Sequence, residues 1–178
     1  MDGKQLVDIA GECGFEASAV LDVSTLEFLP EVRAMCAADK CRSYGRSWSC
    51  PPACGSLEEL RAKCSAYTDG VLVQTVGKRE DEWDFQGIID AEKLHKQRFE
   101  ELVDRLRALD SDFIAMGAGA CMICRECTYP SEPCRFPERV FPSMEACGLL
   151  VGKLCTDNGL KYYYGKDSIS FTSCVLTK

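Results

Sequence analysis

The chain has 178 residues, 13 of them cysteine, with 21 Lys and Arg against 28 Asp and Glu for a formal net charge of -7. That length supplies a core without disulfides, because a chain of ~150 residues already buries about 70% of its unfolded surface. The acidic balance excludes the basic footprint that nucleic acid demands. No apolar run approaches the ~20 residues that span a bilayer, no basic leader opens the chain, and no basic amphipathic segment is present to lie on an anionic surface. We therefore expect a soluble chain with neither nucleic-acid nor membrane partners. An odd cysteine count, below the ~8–10% of short secreted disulfide scaffolds, places it in a reducing cytoplasm, where clustered cysteines serve as metal ligands or redox groups.

In chain order, Leu6, Ile9 and Ala10 stand at helical spacing before Gly14 and predict a short helix over residues 4–13. Residues 19–23 form a brief apolar run, Ser24 with Glu27 fits a capping box, and residues 31–36 suit one more helical turn. Residues 40–55 carry Gly45, Pro51, Pro52 and Gly55 and read as a rigid cysteine-bearing loop. Ser56 with Glu59 then caps a helix, and residues 70–76 are apolar and β-branched enough for a buried strand. The longest helix is predicted over 86–109, with apolar positions including Ile88, Ile89, Leu94, Phe99, Leu102, Val103, Leu106 and Leu109. A strand over 112–116 follows, so that strand, helix and strand suit a right-handed βαβ crossover. Residues 117–137 break regularity again, and Ser143 with Ala146 opens a helix ending near Asn158-Gly159. Tyr162, Tyr163 and Tyr164 are expected to pack alternately on a strand, and a last strand runs from Ser168 to Leu176. The fold class is α/β: a single domain over 1–178, with a mixed sheet of about four strands and helices, interrupted by two cysteine loops.

The second loop has the sharper motif. Cys121, Cys124, Cys127 and Cys134 are spaced C-x2-C-x2-C-x6-C, with Pro133 just before the fourth. Three thiolates at two-residue intervals wrap one face of a cubane while the fourth arrives from a separate turn, whereas zinc is more often gripped by two C-x-x-C pairs. The spacing favours a [4Fe-4S] cluster, with zinc as the alternative metal. In the first loop, Cys36, Cys41, Cys50 and Cys54 form a second candidate ligand set, with Cys64 on the following helix as another candidate for its fourth member. If only three of these thiols bind, one iron keeps an open position for Lewis-acid chemistry on a substrate.

The segments CRSYGRSWSCPPACGSLEEL, GAGACMICRECTYPSEPCRFPERVFPSMEACGLLV and LKYYYGKDSISFTSCVL resemble the family of predicted metal-binding proteins designated domain of unknown function 2284, from about Arg33 to the C-terminus. The resemblance implies metal or iron–sulfur binding, in prokaryotes that are often anaerobic, with no settled reaction. It carries over Cys121, Cys124, Cys127 and Cys134 as ligands, together with Cys41 and Cys50. The family places a cysteine directly after the two glutamates of G-S-L-E-E, where this chain has Leu60.

Among the remaining residues, the single histidine, His95, suits a surface or capping role on the long helix, with proton transfer as the minority alternative. Cys13, Cys147, Cys155 and Cys174 suit core packing, the middle two near one face of the same helix. Arg42, Arg46, Arg135 and Arg139 flank the ligand runs and suit either offset of cluster charge or capture of a small anionic substrate. No Gly-rich phosphate loop and no nucleophile beside a base is evident. The expected function is an iron–sulfur protein with two clusters, an electron carrier or accessory subunit for a redox partner protein. An enzyme using an open-coordinated cluster on a small anionic substrate, and a zinc-stabilised interaction module, are the alternatives.

Overall fold

The computed structural model describes residues 1–81 and 83–178. Its helices are α1 (Gly3–Glu12), α2 (Pro30–Met35), α3 (Leu57–Cys64), α4 (Phe85–Ala108) and α5 (Val151–Asp157). Its strands are β1 (Ala17–Val20), β2 (Asp69–Lys78), β3 (Phe113–Met116) and β4 (Ser168–Thr177), joined in one sheet of order β1-β2-β4-β3. The α/β class and a count of four strands agree with the sequence, although β1 stands where the sequence indicates only an apolar run and residues 161–164 form no strand. Every neighbouring pair in the sheet is antiparallel. Because β2 and β3 both run antiparallel to β4, they are parallel to one another, but β4 lies between them. The β2-α4-β3 crossover is thus split by the C-terminal strand, a pairing that no local periodicity encodes.

The sheet is covered on both faces, which explains why β2 is buried without a break from Gly70 to Thr75 and not on alternate residues. Val71, Val73 and Val175 pack with Leu6 of α1 and with Phe99, Leu102 and Leu106 of α4. The intervening Leu72, Cys174 and Leu176 pack on the other face with Leu60 of α3 and Leu154 of α5. Side chains that alternate along a strand therefore enter two different cores.

Several local signals act as expected. Ser56 and Glu59 form a reciprocal capping box on α3. Gly14, with φ of 81°, follows the Cys13 cap of α1. Others differ. The turn after β1 is a short 3-10 segment, Val23–Thr25, capped by Asp22, whose carboxylate accepts from the Ser24 N–H at 2.9 Å, so Ser24 is not the cap. The helix expected from Ser143 begins only at Val151, because Gly148 adopts φ of 79° with its Cα against the Leu29 backbone, and an added Cβ would meet the Leu29 carbonyl at 2.9 Å. Cys147 consequently sits in the preceding turn and not on a helical face shared with Cys155. Residues 161–164 are not a strand: Tyr164 turns inward and donates to Gln74 Oε1 at 2.7 Å, while Tyr162 and Tyr163 are exposed. No described helix is long and apolar enough to cross a membrane.

On α4 the buried stripe is Ala91, His95, Phe99, Leu102, Val103 and Leu106, while Ile89, Leu94 and Leu109 face outward. His95 is therefore a core residue. Its Nδ1 lies 3.1 Å from Thr75 Oγ1 and its Nε2 2.7 Å from Ser173 Oγ, so both ring nitrogens are satisfied from the sheet. Burial holds the imidazole down at about 3, with Lys96 and Arg98 adding to the effect. The unfolded chain takes up a proton near pH 6.5 that the folded chain refuses, so stability fully present above pH 6.5 is lost as the pH falls from there toward 3. Urea unfolding between pH 6.5 and 4.5 should show stability falling by about 1 kcal/mol per pH unit from this residue. The slope should be shallower in His95→Gln; an unchanged slope would assign the acid sensitivity elsewhere.

Candidate metal centre

The first cysteine loop leaves α2 through a 3-10 turn, Cys36–Ala38, and reverses at Asp39, whose φ of 49° is left-handed. Asp39 stabilises that reversal: Oδ1 accepts from the Tyr44 N–H at 3.0 Å and Oδ2 pairs with Arg46 at 3.4 Å. The Gly45 N–H then donates to the Pro51 carbonyl at 2.8 Å and closes the loop. The result brings Cys36, Cys41 and Cys50 onto one cleft of about 440 Å³, whose facing wall includes Leu149, Leu150 and Tyr162. Cys54 is absent from that wall. Arg33 Nη2 donates to its sulfur at 2.9 Å and Nη1 to the Gly55 carbonyl at 2.7 Å, which ties Cys54 to α2, although Cys50 is still near enough to act on its thiol. Cys64 is also elsewhere, packed in the core under α3, where burial pushes its thiol up to about 11.

The second loop is clamped at both ends. Beyond β3 the Gly117 N–H donates to the Pro142 carbonyl at 2.8 Å, and the Met144 N–H returns to the Gly117 carbonyl at 3.0 Å. Between these ends, Lys96 of α4 donates through Nζ to the Ala118 and Ala120 carbonyls at 2.9 and 2.6 Å while pairing with Glu92 at 3.2 Å. Glycine suits this turn because the Gly119 φ of 64° lies in the left-handed region that other side chains rarely adopt. Downstream, Thr128 Oγ1 donates to the Pro133 carbonyl at 2.9 Å and Arg135 Nη1 to the Glu126 carbonyl at 2.9 Å, folding the fourth cysteine back toward the first three. Cys121, Cys124, Cys127 and Cys134 all line one narrow cavity, with Ser47 and Trp48 of the first loop in its wall.

The two loops interlock at that wall. The Cys121 N–H donates to Ser49 Oγ at 3.1 Å, and Trp48 Nε1 donates to the Glu132 carbonyl at 3.2 Å. The Trp48 ring meets Tyr129 edge-on, with centroids 5.0 Å apart. Burial works to raise the Cys127 thiol, but the N–H groups of Tyr129, Trp48 and Thr128 and the Ser47 hydroxyl outweigh it, and the thiol is lowered. The Phe136 N–H likewise donates to Cys134 Sγ at 3.4 Å. Burial raises Cys36, Cys50 and Cys121, with Lys96 and the Ile123 N–H pulling Cys121 the other way. Thiols gathered on a cavity with main-chain N–H groups directed at their sulfurs form a donor set fitted to a thiophilic metal or an iron–sulfur cluster. Among the described residues, no three Cys, His, Asp or Glu side chains close to the spacing of a single ion.

A family model described as predicted metal-binding protein (DUF2284) matches residues 19–177. The chain belongs to that family. The match begins within β1, upstream of the Arg33 boundary suggested by the motifs, so the DUF2284 unit includes β2, β3, β4 and the second half of β1. No curated protein and no solved structure matches this chain.

Several residues of this DUF2284 site escaped the sequence reading. Arg33 and Lys96 stand outside both loops, and nothing marks them before the fold brings them in, beyond the spacing of Glu92 and Lys96 at i,i+4. Ser47 and Ser49 were visible as the S-x-S before Cys50. Of the arginines singled out, Arg139 is engaged by Glu100 through both carboxylate oxygens at 2.8 Å, Arg46 by Asp39, and Arg135 by its own loop. Arg42 is exposed, with a left-handed φ of 57°. Replacing Cys50 by Ala should lower the metal content per chain, whereas Cys54→Ala should leave it at the wild-type level. Elemental analysis of the purified variants checks this, and equal loss from both would return Cys54 to the ligand set.

Proposed function

We propose that this metal-binding protein holds two [4Fe-4S] clusters and acts in a reducing cytoplasm as an electron carrier or accessory subunit for a redox partner protein. Cys121, Cys124, Cys127 and Cys134 would hold one cluster, and Cys36, Cys41 and Cys50 the other. The observation that carries this reading is the quartet of thiols from one loop facing a single cavity, with main-chain N–H groups on the sulfurs of Cys127 and Cys134. Such donors stabilise thiolate charge and, on a bound cluster, raise its potential. The Lys96 ammonium near Cys121 acts in the same direction. The bound clusters would supply one-electron chemistry; the chain supplies thiolates, dipoles and a wall that limits water.

A second reading has its own support. Three thiols share a cleft of about 440 Å³ with Leu149, Leu150 and Tyr162, a volume in the range that small ligands occupy. Lys40 on the same cleft offers a cation to a small anionic substrate. An enzyme using an open iron at this first site fits that arrangement.

Anaerobic purification followed by iron and labile-sulfide analysis, with EPR of the reduced protein, tests the main reading. Two clusters require about eight irons and eight sulfides per chain; zinc without labile sulfide would sink it and leave the zinc-stabilised module. An EPR spectrum altered by small carboxylates would favour the enzyme reading, and an unaltered one the carrier.

A further inference from the structure

We infer that the two thiol sites form one coupled unit, joined through the Ser47–Trp48–Ser49 segment, so that the charge and metal occupancy of one site are felt at the other. This rests on the reading that both loops bind metal and adds to it the means by which the two sites communicate.

The segment belongs to the first loop but serves both. Ser49 is 1% exposed, so its hydroxyl is shut off from bulk solvent. Its Oγ accepts from the N–H of Cys121, a thiol of the second site, at 3.1 Å, and lies 3.6 Å from Sγ of Cys50, a thiol of the first. The same Oγ is 3.0 Å from Ser47 Oγ, which already accepts from the Ser49 N–H at 3.3 Å. Ser47 in turn lines the cavity of the second site beside Cys127, and its hydroxyl favours the charged forms of both Cys127 and Cys50. Each hydroxyl has a single proton and more than one acceptor in reach. Added negative charge on the Cys50 sulfur draws the Ser49 proton, makes Ser49 Oγ a better acceptor, and strengthens its bond from the Cys121 N–H. Charge on the Cys127 sulfur competes for the Ser47 proton in the same way.

The segment is also held rigidly against the second loop by the Trp48 indole, through its bond to the Glu132 carbonyl and its edge contact with Tyr129. A second loop left disordered without its metal would withdraw these supports from Cys50. Occupancy of the second site thus orders the wall of the first.

The test uses the full chain, reconstituted anaerobically as wild type, Ser49→Ala, Ser49→Thr and Cys124→Ala, with circular dichroism confirming the fold of each. EPR-monitored redox titration should show that Ser49→Ala shifts both midpoint potentials, the one at the first site downward through loss of a donor, and that Ser49→Thr, which keeps the hydroxyl, stays nearer wild type. Cys124→Ala should remove more than half of the iron. A shift of one potential alone or of neither in Ser49→Ala, or loss of only half the iron in Cys124→Ala, would overturn the coupling. If the wild type carries zinc without sulfide, the iron–sulfur reading fails separately. The coupling is then read from zinc content, more than half lost in Cys124→Ala supporting it and half lost overturning it.

Discussion

The ten-residue pairing of β2 with β4, from Asp69 opposite Thr177 to Lys78 opposite Ser168, is the constraint on which the other elements depend. It joins the middle of the chain to its end and creates a surface with two apolar faces. Each face then needs its own helical cover, α1 and α4 on one side and α3 and α5 on the other. With β4 occupying the place beside β2, β3 can only join at the far edge, and the chain leaving β3 must enter the second cysteine loop at the margin of the sheet. The Gly117 and Ser143 bridge closes that loop at its base. The cysteines are therefore carried by irregular backbone, but that backbone starts and ends on fixed points.

Irregular backbone has a cost, because its N–H and C=O groups are not paired in ladders. Here many of them are used at the site. N–H groups near Cys127 and Cys134 turn to sulfur, the Ala118 and Ala120 carbonyls take the Lys96 ammonium, and the Gly55 carbonyl takes Arg33. The two cations lie where thiols gather in an otherwise acidic protein, and each is positioned by a helix outside the loops. The loops are thus chemically incomplete without α2 and α4.

Local signals were legible wherever a short-range rule decided the outcome. The Ser56–Glu59 box, the Gly14 stop and the extent of α4 follow from capping, left-handed glycine and periodicity. So did the grouping of Cys121 to Cys134 on one cavity, since their spacing keeps them within one loop. What was not legible depends on contacts distant in sequence. The insertion of β4 between β2 and β3, the inward turn of His95 onto Thr75 and Ser173, and the capture of Cys54 by Arg33 all require partners that no local window contains. The late start of α5 is of the same kind, because Gly148 is left-handed where the backbone of Leu29 packs against it.

Spacing alone does not explain why some of the 13 cysteines would take metal and others would not, since a thiol binds as thiolate and must first lose its proton. Burial separates only the extremes, since it also raises Cys36, Cys50 and Cys121. Cys174 is wholly enclosed and its thiol is raised well above the ordinary range, and Cys147 is raised strongly by the same desolvation. Cys64 is raised to about 11 and Cys155 also upward. These thiols stay protonated at neutral pH and behave as small apolar side chains. Cys127, by contrast, is lowered, because main-chain N–H groups and the Ser47 hydroxyl reach its sulfur. The fold therefore sets chemically identical residues apart by access to dipoles: the Cys127 sulfur, met by N–H groups and a hydroxyl, gives up its proton more readily than an ordinary thiol, while Cys64, Cys147 and Cys174, enclosed in the core, hold theirs.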